Sequence, residues 1–360
     1  MSVRPGGGSR PPIELSKRQA AVLRAVVTGY VGEAAPIGSR TVARLLPVNL
    51  SAASVRSVLG ELAELGLLDQ PHASAGRIPT ERGLRLFVDA LLPPAELAPL
   101  ERRDIAWRLD SSGADEILHV ASGLLSQHTR QLGFVVTPRI DRLVLRHVGL
   151  VRLSSERLLV VLVSHTGTAH RRVVETPEPL TQADLDKITA VLSERVEGRT
   201  LPEVRDLLAR EAEVLRHQAN RLLELAVCVG RRALAAADDA AVDLVIETRL
   251  ALLEQPEFRD PRRIRDLFEA VETKARLLEV LDRMLEEDGV SVAFGEEIEE
   301  PSLRHCALVA ARYGSPGGVR GTLGVIGPSR MDYPRIVALV NHLSRAIGQK
   351  LSAGADGPTT

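Results

Sequence analysis

The stretch from Leu50 to Pro79, LSAASVRSVLGELAELGLLDQPHASAGRIP, constrains this chain more than any other, because it joins a helix start, an apolar helical stripe, a helix stop and a hairpin in one run. Ser51 is a natural N-cap, since its hydroxyl can accept from an amide that the first helical turn leaves unpaired. At about 100° per residue, Val55, Val58, Leu59, Leu62 and Leu65 share one face, which the spacing predicts to be buried. The opposite face carries Ala53, Ser57, Gly60 and Glu64, flanked by Ser54 and Arg56. Small and polar side chains in the first turns let that end enter a groove, with Arg56 able to reach a base edge or a phosphate. Gly66 supplies a left-handed stop, and Leu67 and Leu68 are predicted to pair with Arg77 and Ile78 across the loop His72 to Gly76.

Taken alone, Ser51 to Leu65 reads as an ordinary amphipathic surface helix, and its neighbours change that reading. Upstream, Ser39-Arg-Thr-Val-Ala-Arg-Leu-Leu46 is a short helix ended by Pro47, because a proline disfavours the α region for the residue before it. Helix, tight turn, helix and hairpin is the winged helix-turn-helix order. The residues this places against DNA are Ser39, Arg40 and Thr41 on the supporting helix, Ser51, Ala53, Ser54, Arg56 and Ser57 on the recognition helix, and His72 and Arg77 in the wing.

Several runs here resemble the heat-inducible transcription repressor family, HrcA. They are Gln19, Pro36-Ile-Gly-Ser-Arg-Thr41, Leu50-Ser51, Ser54-Val-Arg56, Leu62, Glu64-Leu-Gly-Leu-Leu68 and the wing Gln70-Pro-His-Ala-Ser-Ala-Gly-Arg-Ile-Pro-Thr80. The resemblance resumes in Gly321-Thr-Leu-Gly-Val-Ile-Gly-Pro-Ser-Arg-Met-Asp-Tyr333, so it brackets the chain. It implies a dimeric repressor that binds an inverted-repeat operator ahead of chaperone operons. It also implies a GAF-like domain interrupted by a dimerising insertion, and a bacterial chaperonin as the partner that keeps the repressor active.

Charge bears on the partner. Residues 1–95 hold 11 Lys/Arg against 7 Asp/Glu, and the remainder 35 against 40, a basic head on an acidic body. No apolar run approaches the ~18 residues of a membrane span and no signal-peptide pattern is present, so a cytoplasmic protein is expected. Cys228 and Cys306, without a CxxC or a histidine cluster, indicate reduced thiols, with neither a disulfide nor a zinc site.

Taken in order, residues 1–14 are expected to be a disordered tail and residues 15–95 the winged helix-turn-helix domain. Within the latter, Ser16 to Gln19 forms a capping box, Val22, Leu23, Val26, Val27 and Tyr30 keep helical spacing, and Thr80 caps a closing helix. Residues 96–179 are read as the first part of the GAF-like domain, with Trp107 a packing anchor and with strands at Gly133 to Thr137, Leu143 to Leu153, Leu158 to Val163 and His170 to Val174 in one sheet. Residues 180–256 are read as the mainly helical dimerisation insertion. Its long helix presents Val204, Leu208, Leu215, Leu222 and Val229 as an interhelical stripe across the dimer. Residues 257–351 complete the sheet domain, and residues 352–360 form a tail. The fold class is thus α+β and multidomain.

Other groupings yield no chemistry. Gly321, Gly324 and Gly327 lie within a strand, where close backbone packing explains them better than a phosphate cradle. His165 and His170 read as exposed turn residues, and Glu296, Glu297, Glu299 and Glu300 as a solvated acidic loop. No catalytic triad, Walker loop, metal site or cofactor site is expected, and the chain reads as a regulator with no enzymatic activity. The alternative is a ligand-responsive winged-helix regulator or enzyme whose sheet domain takes a small molecule in its concavity.

Overall fold

The computed structural model describes residues 3–5, 13–47, 50–113, 116–137, 144–165, 169–176, 179–215, 227–229, 244–247, 250–253, 255–285, 289–314 and 320–355. The chain divides into two compact units. One comprises Met1–Val135, Leu244–Arg312 and Thr322–Ala346, and the other Val136–Asp243, Tyr313–Gly321 and Ile347–Thr360.

In the first unit three helices, α1 (Lys17–Glu33), α2 (Ser39–Leu45) and α3 (Ala52–Glu64), precede a two-stranded antiparallel sheet of β2 (Leu68–Asp69) and β3 (Ile78–Pro79). The caps form where the side-chain chemistry asks for them. Ser16 and Gln19 make a reciprocal capping box on α1, Ser51 accepts from the Ser54 amide, and Thr80 caps α4 (Glu81–Leu86) through the Gly83 amide. Leu46, just before Pro47, sits at ψ 139°, the extended conformation that a following proline imposes, and α2 stops there. Val22, Leu23, Val26, Val55, Leu59 and Leu62 are buried together with Ile37 and Val42. Leu65 departs from the predicted stripe: it closes the helix as its C-cap and stays exposed. The observed pairs are Leu68 with Pro79 and Asp69 with Ile78, so both strands lie one residue further along the chain than expected.

The body of this unit is a six-stranded sheet in the order β1 (Val3–Pro5), β9 (Val290–Phe294), β10 (Cys306–Tyr313), β11 (Gly321–Pro328), β4 (Leu132–Val136), β8 (Leu244–Glu247). Inside the segment expected to be a tail, β1 therefore pairs parallel to β9, with Val3 opposite Val290. An edge strand tolerates Pro5, which has no amide hydrogen to offer a second neighbour. The glycines of β11 are packing glycines: a Cβ on Gly324 would fall 2.3 Å from the Val309 carbonyl oxygen, so the neighbouring strand can approach only because none is there. The final helix, α13 (Tyr333–Ala355), begins at Asp332, whose carboxylate accepts from the Arg335 amide at 3.4 Å, and buries Ile336, Leu339, Val340, Leu343 and Ile347. It runs to Ala355, into the segment read as a tail. The helix expected over Ile264 to Leu285 is two, α10 (Pro261–Glu272) and α11 (Lys274–Met284), broken at Thr273 with ψ 69°. A four-residue helix, α9 (Leu250–Leu253), precedes them, and α12 (Gly295–Ile298) follows β9.

Two helices, α5 (Pro99–Asp110) and α6 (Ile117–Thr129), precede β4. Trp107 is not a packing anchor. The buried side of α5 is Ile105 and Leu109, and Trp107, on the opposite side of the helix from Ile105, is 68% exposed.

The second unit corrects the sequence reading most. Strands β5 (Leu145–Arg152), β6 (Arg157–Ser164) and β7 (Ala169–Glu175) do not join β4; they form their own antiparallel sheet of three. Alternate residues, Val148, Leu150, Leu158, Val160, Leu162 and Val174, bury against α7 (Gln182–Val196) and α8 (Leu201–Leu215). The boundary expected at residue 180 thus falls inside this unit, which carries a sheet as well as helices. Val204 and Leu208, expected to form the dimer stripe, are both 0% exposed in this core, and Val229 is buried with them. An apolar stripe identifies a buried face and leaves open which element covers it; here the chain's own sheet does. The Leu215 side chain and Leu222 lie outside the described residues.

Candidate nucleic-acid interface

The interface is built on α3 and braced from three sides. Its inner face is buried against α1 and α2, which leaves Ser51, Ala53, Arg56 and Ser57 exposed and Ser54 half-buried along the outer face. Ser51 serves the helix first, since its Oγ accepts from the Ser54 amide at 3.1 Å and donates to Ser54 Oγ at 3.0 Å. The Ser57 hydroxyl donates to Glu61 at 3.4 Å, and the Gln19 side-chain amide of α1 donates to the other oxygen of the same carboxylate at 3.0 Å. The one acid in the middle of this face is thereby held by two donors. On α2, Arg40 is exposed, Ser39 and Thr41 are half-buried, and Thr41 Oγ1 accepts from Arg44 at 3.4 Å.

The hairpin is fastened to the helices by a strand-like contact that the sequence reading missed. Ile37 bridges Arg77 in antiparallel fashion, so Arg77 is set beside the start of α2. A β-branched residue isolated between Pro36 and Gly38 was the available signal, since an extended residue there needs a partner for its backbone groups. Gln70 was missed as well: its side-chain amide donates to the carbonyls of Ala73 at 2.9 Å and Ala75 at 3.0 Å, pinning the loop that carries exposed His72. Among the described residues, no carboxylate forms an ion pair with Arg40, Arg56 or Arg77, so their charges are open to a polyanion.

The other candidate groupings resolve into structural contacts. Glu297 pairs with Arg85, Glu299 with Arg283, and Glu300 with Arg276 at 3.6 Å, so three of the four acids, two of them exposed, each meet an arginine. His165 is exposed, whereas His170 lies in β7 and not in the turn. Cys306 is buried, and burial pushes its thiol up to about 12, which leaves it protonated and unreactive at neutral pH. Cys228 is half-buried and unpaired by a disulfide. Among the described residues, no three His, Cys, Asp or Glu side chains gather as a metal site, and no helix is long and apolar enough to cross a membrane.

The family model for the HrcA protein C terminal domain matches residues 115–337. The heat-inducible transcription repressor HrcA of Geobacter sulfurreducens is 34% identical over 340 residues, covering 94% of this chain and 98% of that protein. The repressors of the same name from Syntrophobacter fumaroxidans and Nitratidesulfovibrio vulgaris are 36% and 38% identical, covering 94% and 93% of this chain and 98% and 95% of theirs. A crystal structure of a hypothetical protein shares the fold, with a TM-score of 0.58 at 20% identity over 94% of this chain and 99% of that one. The chain belongs to the HrcA family.

Proposed function

We propose that the chain is a heat-inducible transcription repressor that binds an inverted-repeat operator upstream of chaperone operons as a homodimer. The observation that carries this is the set of unpaired arginines, Arg40, Arg56 and Arg77, displayed around the exposed face of α3 in a chain whose full-length relatives are named as such repressors. In this reading α1 to α3 with β2 and β3 are a winged helix-turn-helix. Helix α3 enters the major groove, Arg56 reads a base edge, and Arg40, Arg77 and His72 face phosphates.

The six-stranded sheet with α6 and α13 is the GAF-like domain, and the unit between β4 and β8 is the dimerising insertion. A single winged helix reads too few base pairs to be selective, so two must be held about one helical turn apart or a multiple of it. The surface for the second copy is the outer face of the three-stranded sheet. There Val151, Leu159 and Val173 stand opposite one another in a single cross-strand row, with Val151 47% and Val173 44% exposed.

Activity depends on chaperonin-assisted folding. Strand β4 must pair with β11 and β8, which the chain delivers only after the whole insertion has been made. Such non-local pairing is slow and leaves apolar strands uncovered meanwhile. Heat that fills the chaperonin with other clients then lowers active repressor and releases the operons. The test is electrophoretic mobility shift and footprinting of the full chain on the DNA upstream of its own genome's chaperone operons. Protection of an inverted repeat is expected, and failure to protect any would refute the assignment.

A further inference from the structure

The run Gly321 to Tyr333 holds an arginine and a tyrosine, Arg330 and Tyr333, that DNA reading leaves unexplained, and both lie where the N-terminal head, residues 15–95 with α1 to α4, meets the body of the same unit. Arg330, between β11 and α13, lays two of its nitrogens on the Glu257 carboxylate at 2.7 and 3.2 Å. Its third donates to the carbonyl of Val31, in the last turn of α1, at 2.8 Å. One guanidinium thus ties a body carboxylate to a head carbonyl that the end of α1 would otherwise leave unpaired.

A second arginine repeats the device in the opposite direction. Arg85, on α4 of the head, pairs with both oxygens of Glu297 and donates to the carbonyl of Val292 in β9 at 2.7 Å. Glu297 is itself fixed by the Phe294 amide at 3.0 Å, and the Arg85 guanidinium carbon stands 4.7 Å above the Phe294 ring. The Phe294 ring packs at 5.5 Å on Tyr333, three residues beyond Arg330, so the two clamps share an aromatic hinge pin. Both guanidinium groups are largely shielded from solvent. Two planar forks anchored at separate points on α1 and α4 remove rotation of the head about either point alone.

We infer that Arg330 and Arg85 are positioning residues for operator binding, holding each head at one angle to its body so that a dimer accepts one half-site spacing. The inference rests on the DNA-reading role proposed above. On this inference neither arginine, both largely shielded from solvent, contacts DNA, so their loss should leave the contact with a single half-site unchanged and remove the advantage of having two heads prearranged.

The probe is an inverted-repeat duplex selected from a random-sequence library with the full wild-type chain. It is compared with the same duplex carrying a spacer about five base pairs longer, which turns one half-site to the other side of the helix, and with an isolated half-site. The proteins are wild type, Arg330→Ala, Arg85→Ala and the isosteric Glu257→Gln. The expected result is that the arginine variants bind the half-site within twofold of wild type, lose tenfold or more on the selected duplex, and no longer discriminate against the lengthened spacer. Glu257→Gln should move the same way by a smaller factor. Wild-type spacing preference in the variants overturns the inference while leaving DNA reading intact, and if the arginine variants fail to fold, Glu257→Gln alone decides. A wild-type chain that selects no duplex overturns the DNA-reading assignment and this inference with it.

Discussion

Ile37 and Arg77 exchange both of their backbone hydrogen bonds, the amide of each donating to the carbonyl of the other at 2.9 Å. That exchange makes Ile37, two residues before α2, a third, one-residue strand on the hairpin, and it sets Arg77 beside the head's helices. It also explains Gly76, where a Cβ would lie 2.5 Å from the carbonyl carbon and oxygen of Ile37. Gly76→Ala should therefore destabilise the head by roughly 1–3 kcal/mol, the usual cost of forcing an extra carbon into a packed site. It should also weaken DNA binding. Urea unfolding of the full chain followed by fluorescence anisotropy on DNA checks both, and an unchanged midpoint would show that the hairpin can lift away at little cost.

Arg56→Ala should cost about 1–3 kcal/mol of binding to the operator and relax the base preference at one position of each half-site, if the guanidinium pairs with a guanine edge. Arg40→Ala and Arg77→Ala should instead weaken all sequences alike and lower the salt slope by about one unit each. Titrations at several salt concentrations separate the two patterns. Unaltered operator affinity in Arg56→Ala would remove α3 from the major groove.

The proposed dimer surface gives a paired prediction. Val151→Asp with Val173→Asp should convert the dimer to a folded monomer, because it places charge on an apolar row that a second copy would cover. Leu208→Ala removes a side chain from the insertion's own core and should cost about 2–5 kcal/mol of stability. Light scattering and thermal melts distinguish them; a dimer that survives the double substitution puts the interface elsewhere.

His342 introduces a pH dependence with a defined sign. Burial, then the charge of Arg102, holds its imidazole below the ordinary value of 6.5, against a smaller opposing pull from Glu101. The unfolded chain therefore takes up a proton first as pH falls through 6.5. The contribution of this residue to stability is full above that value and is lost as pH drops through it towards the lower folded value. His342→Asn should flatten the stability profile over that window in urea titrations, and a profile of unchanged slope would assign the dependence to other groups.

Refolding from denaturant should recover more operator-binding activity with a bacterial chaperonin and ATP than without, and the gap should widen as temperature rises. Equal recovery in both conditions, with activity lost only on removing some small molecule, would favour a ligand-responsive regulator.

What the sequence determined by itself is local. The caps at Ser16, Ser51 and Thr80, the stop at Gly66 and the break before Pro47 each depend on groups within about four residues, so residue type and spacing suffice to place them. The exposure of Arg56 on α3 was legible for the same reason, because a helical period divides a short segment into two faces. Only the tertiary structure decided which partners cover those faces. The period of β5 to β7 predicted strands but could not say that they pair with one another and leave β4 to β11 and β8. The stripe through Val204 and Leu208 predicted burial but not by which chain, and Trp107 carried no local sign that its side of α5 stays open. The bonds from Arg85 to Val292 and from Arg330 to Val31 join residues 207 and 299 positions apart. Contacts of that range exist only once the sheet has closed, because no repeat in the chain encodes which distant backbone carbonyl a guanidinium will meet.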